Sequence, residues 1–201
     1  MAGIGLYGVY YSKGVVENGV LTGFSGIKTM GKAISAAFTP ADANSNPLYA
    51  NNGIAERDAA AGAGGELNVT LDRVDRAAMA ELYGLTETAV TVGGVGGSGF
   101  DFDGTEMSSP VGVAFVRWAQ ENNDRAHYQA VIFSYCVFGA PTDNYKTMAG
   151  SVEWQTPELT ATVSGGAVCG AKPWKKVYDF PDQETAIAFI TSYFQASAVT
   201  T

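Results

Sequence analysis

Acid–base chemistry in this chain of 201 residues would have to run through His127, its one histidine, or through its carboxylates. His127 opens an apolar run and no Gly-x-Ser-x-Gly elbow accompanies it, so a structural role is the better reading. Asp101, Asp103 and Glu106 lie close together in Asp-Phe-Asp-Gly-Thr-Glu and resemble a fragment of a calcium loop. The third Asp or Asn before the glycine and the closing glutamate of an EF-hand are missing, which leaves a solvated acidic loop. The glycines of Gly62-Ala-Gly-Gly65 precede a strand-like run, whereas a phosphate cradle needs strand, glycine loop and helix in that order. Cys136 and Cys169 cannot build a four-cysteine metal site and read as buried free thiols. Nothing marks a pair of carboxylates for glycoside hydrolysis, and Trp118, Trp154 and Trp174 sit where packing is expected rather than sugar stacking. No catalytic residue, cofactor or metal is expected, and the chain reads as a protein other than an enzyme.

Composition narrows the remaining classes. Charged residues make up 16% of the chain and hydrophobic ones 46%, against about 25% charged in an average soluble protein, so part of the surface is expected to be covered. The net charge of −8 opposes nucleic-acid binding by clustered Lys and Arg. No signal peptide is read at the start, and the uncharged run from Ala126 to Thr142 alternates like a strand and is interrupted by polar residues, so no membrane span is expected.

The elements that would position any function are mostly strands. Ile4–Ser12 is β-branched and aromatic and leads into a turn at Glu17-Asn18-Gly19. Lys32–Thr39 reads as a strand ended by Pro40. In Glu66–Leu71, Leu67, Val69 and Leu71 share one face. A helix follows over about 73–83, with Asp72 as its N-cap, Val74, Ala78 and Leu82 repeating along it, and Gly84 with Leu85 closing it. Ala89–Val92 reads as a short strand and Gly93–Gly99 as a flexible loop. Val111–Gln120 and Ala126–Phe138 bracket Glu121-Asn-Asn-Asp124 as a hairpin. The second strand is apolar on both sides, Val131, Phe133, Tyr135 and Val137 against Ala130, Ile132, Cys136 and Phe138, so its own domain or a neighbouring subunit should cover both faces. Ser151–Val163 alternates again, with Pro157 expected at an edge or bulge. Asp182 should start a C-terminal helix over about 183–195 that faces Ile187, Ile190 and Phe194 to one side, with Ala186 and Tyr193 flanking.

One segment fits no element. Ala41–Gly65 is rich in Ala, Asn, Asp and Gly and carries the apolar islands Leu48, Tyr49 and Ile54 beside Glu56, Arg57 and Asp58. Fully extended, Tyr49–Gly65 would span roughly 55 Å at about 3.3 Å per residue, more than the roughly 40 Å diameter of a compact domain of this length. These six residues are the candidates for contact with a neighbouring subunit, and Gly62–Gly65 reads as the flexible return of the arm.

Several stretches, taken in order, resemble a known family. They are Gly5–Tyr11, Ala33–Pro40, Leu48–Gly53, Glu66–Leu71 with the helix after it, Gly150–Pro157 and Lys172–Asp179. Together they resemble the major tail protein, the tail-tube subunit of long non-contractile bacteriophage tails, of the type common in phages of Gram-positive hosts. The resemblance implies a mainly β protein with α (α+β), a β-sandwich or half-barrel with a flanking helix, a long inter-subunit loop and a C-terminal helix. The tube domain would occupy residues 1–164, with the loop at about 41–65, and residues 165–201 would form an extension.

In that family six subunits form a ring, and rings stack into a hollow tube. The implied partners are other copies of the chain, the tape-measure protein, and the tail terminator and distal tail proteins, with DNA passing through transiently. The implied location is the virion's tail tube, after synthesis in the host bacterial cytoplasm, with no membrane insertion by this chain. Six copies at −8 give 6 × −8 = −48 per ring, which would let DNA slide rather than stick if acids face the lumen. The alternatives are the tube subunit of a contractile tail, tailocin or injection machine, and, in a different class, a β-sandwich carbohydrate-binding or adhesin module.

Overall fold

The computed structural model describes residues 2–41, 45–50, 53–59, 64–120, 127–140 and 156–195. Among these the chain is mainly β with two helices, a β-rich α+β protein, and every strand pairing is antiparallel. In chain order the strands are β1 Ala2–Glu17, β2 Val20–Phe24, β3 Lys28–Gly31, β4 Ala33–Pro40, β5 Ser45–Ala50, β6 Gly53–Ala59 and β7 Gly64–Leu71. Helix α1, Arg76–Tyr83, precedes β8 Glu87–Val92, β9 Val95–Phe100, β10 Val111–Gln120, β11 His127–Phe138, β12 Glu158–Ser164 and β13 Lys175–Phe180, and helix α2, Gln183–Gln195, follows.

The main sheet runs β2-β1-β10-β11-β12-β7-β4, with β3 on β1 and β13 on β11. Only Lys32 separates β3 from β4. One short stretch of chain therefore pairs with β1 at its start and with β7 afterwards, a covalent closure across which β4 itself forms no pair with β1 among the described residues. Asn18 and Gly19, with φ of 52° and 79°, form the positive-φ turn that joins β1 to β2, a geometry that Asn-Gly adopts at little cost.

Two apolar clusters follow from this closure. The inner one gathers Val9, Tyr11, Met30, Leu67, Val69, Leu71, Val113, Phe133 and Leu159 with Ala78 and Leu82 of α1. The second lies on the opposite side of β10 and β11, where Ala114, Val116, Ala130 and Ile132 meet Leu21, Phe24, Ala186, Ile190 and Phe194. Both faces of β11 are thus covered by this chain itself, through α2. Each fully buried Ile or Phe in such a seam stabilises by about 1.5–3 kcal/mol.

The expected alternation along β11 fails at one place. Val131 and Phe133 face the inner cluster, but so do Cys136 and Phe138. The register steps from Val113↔Phe133 to Val111↔Cys136, a bulge at Ser134 and Tyr135 that changes the parity of every residue after it. Ser134 is fully buried there. Its N–H donates to Trp174 O at 3.0 Å and its hydroxyl to Pro173 O at 2.6 Å.

Other boundaries differ for local reasons. Helix α1 starts at Arg76, with Asp75 rather than Asp72 at its N-cap. The Asp72 carboxylate accepts instead from the Lys32 and Arg73 N–H groups at 3.0 and 2.8 Å, tying the end of β7 to the β3–β4 junction. Gly84 closes the helix in the left-handed conformation, as expected. Asp182 caps α2 through Thr185, whose N–H lies 2.7 Å from Oδ1, and Ala186, Ile190 and Phe194 are the fully buried residues of that helix while Ile187 is half-buried. Pro157 stands just ahead of β12, its carbonyl accepting from Leu71 N–H at 3.1 Å. Residues 121–126, and Trp154 with the rest of 151–155, lie outside the described residues.

Candidate assembly surface

The residues singled out for chemistry do not converge. His127 pairs with Ala119 at the start of β11. The acidic loop satisfies itself: Asp103 Oδ1 accepts from Thr105 N–H at 2.8 Å and Oγ1 at 2.6 Å, and the Glu106 carboxylate accepts from the N–H groups of Asp103 and Gly104. The Thr105 hydrogen bonds hold the Asp103 carboxyl below the usual carboxylate range. Among the described residues no group of three His, Cys, Asp or Glu could hold a metal ion. Cys136 and Cys169 are buried free thiols, and burial pushes both upward in pKa. No described helix is long and apolar enough to cross a membrane.

A surface does emerge from β4, β7 and β12. Their inward residues Leu67, Val69, Leu71, Leu159, Ala161 and Val163 are buried, so the alternate positions share the outer face. The register sets them in three rows: Ser35, Thr70 and Glu158; Ala37, Asn68 and Thr160; Thr39, Glu66 and Thr162. Hydrogen bonds run along two of the rows and between two of them. Ser35 Oγ donates to Thr70 Oγ1 at 3.0 Å, Thr160 Oγ1 to Asn68 Oδ1 at 2.6 Å, and Asn68 Nδ2 to Glu66 Oε1 at 2.8 Å. The result is a flat, solvated wall of small polar side chains with two acids and no base. The strict alternation in Glu66–Leu71 already marked this face as polar, but its extension over three strands rests on register.

This wall borders an open edge and an arm. Among the described residues strand β4 is paired on one side only, by β7, which makes its other side an edge at which a strand could join. Between β4 and β7 the chain forms a separate hairpin, β5 with β6, in place of an extended irregular arm. At about 3.4 Å per residue, the seven residues of β6 reach roughly 24 Å, less than half the extended span. The register sets Leu48 opposite Glu56, Tyr49 opposite Ile54, Pro47 opposite Arg57 and Asn46 opposite Asp58, so all six candidate contact residues share one hairpin.

Where the arm rejoins the sheet, its last two glycines are tightly packed. Gly64 and Gly65 are the first residues of β7, with φ of 130° and 156°. A Cβ on Gly65 would stand 2.2 Å from Thr39 O, and one on Gly64 would stand 2.4 Å from Val163 O. Ala61, Gly62 and Ala63 lie outside the described residues.

A second hairpin escaped the sequence reading. Gly93 and Gly94, with φ of 60° and 82°, make a tight turn, and the rest of the supposed loop is β9 paired with β8. Val90, Val92 and Val95 on it are 54, 77 and 73% exposed. Arg76 of α1 anchors its base through Glu87 at 3.0 Å and Ser98 O at 3.2 Å.

No known family model matches this chain, and no curated protein matches it.

Proposed function

We propose that the chain is a structural virion protein, the tube subunit of a long non-contractile bacteriophage tail, which assembles into stacked six-membered rings around a channel for DNA. The observation that carries this reading is the bare wall on β4, β7 and β12. The inner face of these strands is buried in the chain's own core, yet the outer face stays flat, polar and weakly acidic beside a strand edge. Strands of neighbouring subunits added at β4 would extend that wall around a ring, with main-chain hydrogen bonds supplying the contact. A lumen lined by Thr, Ser, Asn and Glu offers duplex DNA no cation to hold and no apolar surface to wet.

The β5–β6 hairpin is then the element that reaches the next ring. Its partners would be further copies of the chain along the shaft, with the tape-measure protein inside during assembly and terminator and distal tail proteins at the ends. Electron microscopy of the purified protein, or of particles containing it, is the direct test. Hollow stacked rings are expected. A persistent monomer that binds glycans would replace this reading with the carbohydrate-binding one.

A further inference from the structure

Where β11 changes partners, from β13 along Tyr128–Phe133 to β12 along Cys136–Phe138, the sheet splits and leaves a cleft. Its volume is 510 Å³, and Leu6, Phe38, Phe115 and Phe133 form its apolar floor. Two cations stand in its lining, Arg117 and Lys175, and no acid does. Lys175 Nζ lies over the Phe38 ring at 4.8 Å and the Phe133 ring at 5.5 Å. Arg117 Nε donates to Gln129 Oε1 at 2.5 Å. Among the described residues neither cation forms a salt bridge. The cleft is flanked by β4 and β13, each paired on one side only among the described residues.

The same chain carries the opposite shape and charge. Between β9 and β10, Phe102 is 57% exposed and Met107 84% exposed. Asp101 and Asp103 flank Phe102 in sequence, and the hydrogen bonds from Thr105, Asp103 and Gly104 hold the loop in a fixed turn. Ordering entropy is thereby spent before any contact is made. An exposed aromatic between two carboxylates is an unusual thing to leave in water, and it shares no residue with the cleft.

We propose that the Asp101-Phe102-Asp103 knob of one copy seats in the Phe38–Phe115–Phe133 cleft of a second copy, with its carboxylates paired to Arg117 and Lys175. This rests on the self-assembly reading and names two surfaces within it. Charge complementarity selects the occupant: the cleft holds two unbridged cations, and the knob holds two carboxylates on either side of a ring that the aromatic floor can receive. Because knob and cleft share no residue, head-to-tail repetition of the contact generates a ring or a filament. A buried aromatic anchor ringed by charge pairs is the usual form of an energetic centre in an interface.

The test uses the full chain with Phe102 replaced by the photo-crosslinker benzoylphenylalanine, alongside Phe102→Ala, Asp103→Lys, Arg117→Glu and the double variant Asp103→Lys/Arg117→Glu. Circular dichroism first establishes that each is folded. Irradiation is expected to join position 102 to Leu6, Phe38, Phe115 or Val177 of another copy. Phe102→Ala is expected to raise the concentration needed for assembly about tenfold or more, as truncation of an interface anchor does. Asp103→Lys and Arg117→Glu should each impair assembly in sedimentation, and the double variant should recover it at least partly, the signature of a direct pair. Crosslinks between copies at other positions, or normal assembly by Phe102→Ala, overturn the knob and cleft while leaving self-assembly standing. A wild-type chain that stays monomeric at every concentration and yields no intermolecular crosslink overturns both.

Discussion

Reversing the two acids of the bare wall tests whether it lines a passage for DNA. Glu66 and Glu158 contribute −2 per subunit, hence −12 in a six-membered ring, and Glu66→Lys with Glu158→Lys turns that to +12. A compact domain of this length is roughly 40 Å across, and duplex DNA carries one charge per about 1.7 Å, so a ring encloses roughly 24 phosphates. If about four of the twelve new lysines engage phosphates at once, the slope of log K against log salt is about −3.6, and retention weakens about 150-fold between 50 and 200 mM salt. The fold should tolerate the change within about 0.5 kcal/mol, since both acids are exposed and Glu66 loses only its bond from Asn68. The assay is co-sedimentation of assembled tubes with short duplex DNA at the two salt concentrations. Reversed tubes should retain DNA at the lower salt and release it at the higher, while wild-type tubes retain none at either. A control with Glu17→Lys and Glu184→Lys makes the same change of charge at exposed positions away from the wall. Equal retention by this control, or none by the reversed tubes, would refute the assignment of the wall to the lumen.

Gly65→Ala forces a Cβ to within 2.2 Å of Thr39 O at a φ of 156°, so urea unfolding should show a loss of about 2 kcal/mol or more; an unchanged midpoint would contradict the close approach of β4 and β7. Ser12 is fully buried and its hydroxyl has no partner among the described residues, so Ser12→Ala should leave stability unchanged or raise it by up to about 1 kcal/mol, read as a melting temperature that does not fall. Burial pushes the Glu81 carboxyl upward, but hydrogen bonds from Lys28 and Tyr11 outweigh it and hold it below its usual value; that stabilisation is present above the ordinary carboxylate range and is lost as pH falls through the folded value, so Glu81→Gln should flatten the acid-side decline in melting temperature. Replacing Ser45–Ala59 by a short Gly-Ser linker removes a hairpin that, among the described residues, pairs only with itself, and should leave single rings that no longer stack; normal tubes would dismiss the arm from assembly.

Periodicity made the strands legible wherever one face is buried and the other solvated, as in Glu66–Leu71 and in the turn at Asn18-Gly19. It misread what depends on register. The bulge at Ser134 and Tyr135 leaves no local mark, because both faces of β11 are apolar and a change of parity replaces one hydrophobic residue by another. Strand β13 escaped because Lys172-Pro-Trp-Lys-Lys carries no apolar alternation, and only the register sets Lys175 and Lys176 opposite Phe133 and Ile132. Asp72 looked like a cap because its side chain suits one, and only the return of the chain at Lys32 diverts that carboxylate elsewhere. The six arm residues were visible as islands in a polar segment, but their pairing was not, since Ala- and Asn-rich strands carry no apolar period.

The closure of β11 within its own chain changes what kind of assembly the protein can support. A strand apolar on both faces needs cover from its own domain or from a neighbouring subunit, and α2 supplies it internally. If assembly uses the edge of β4, the two hairpins, the knob at Phe102 and the cleft, then the roughly 800 Å² per partner of a stable interface is divided among several separate patches. Such patches hold weakly one at a time, but in a heterologous ring the last subunit completes two contacts at once, the second at a high effective concentration. Assembly should therefore be steeply cooperative, with monomers and closed rings both populated and open intermediates scarce. Sedimentation across a dilution series decides it: two boundaries that exchange amplitude are expected, and a smooth ladder of small oligomers would mean that the contacts are individually strong and the weak-patch account is wrong.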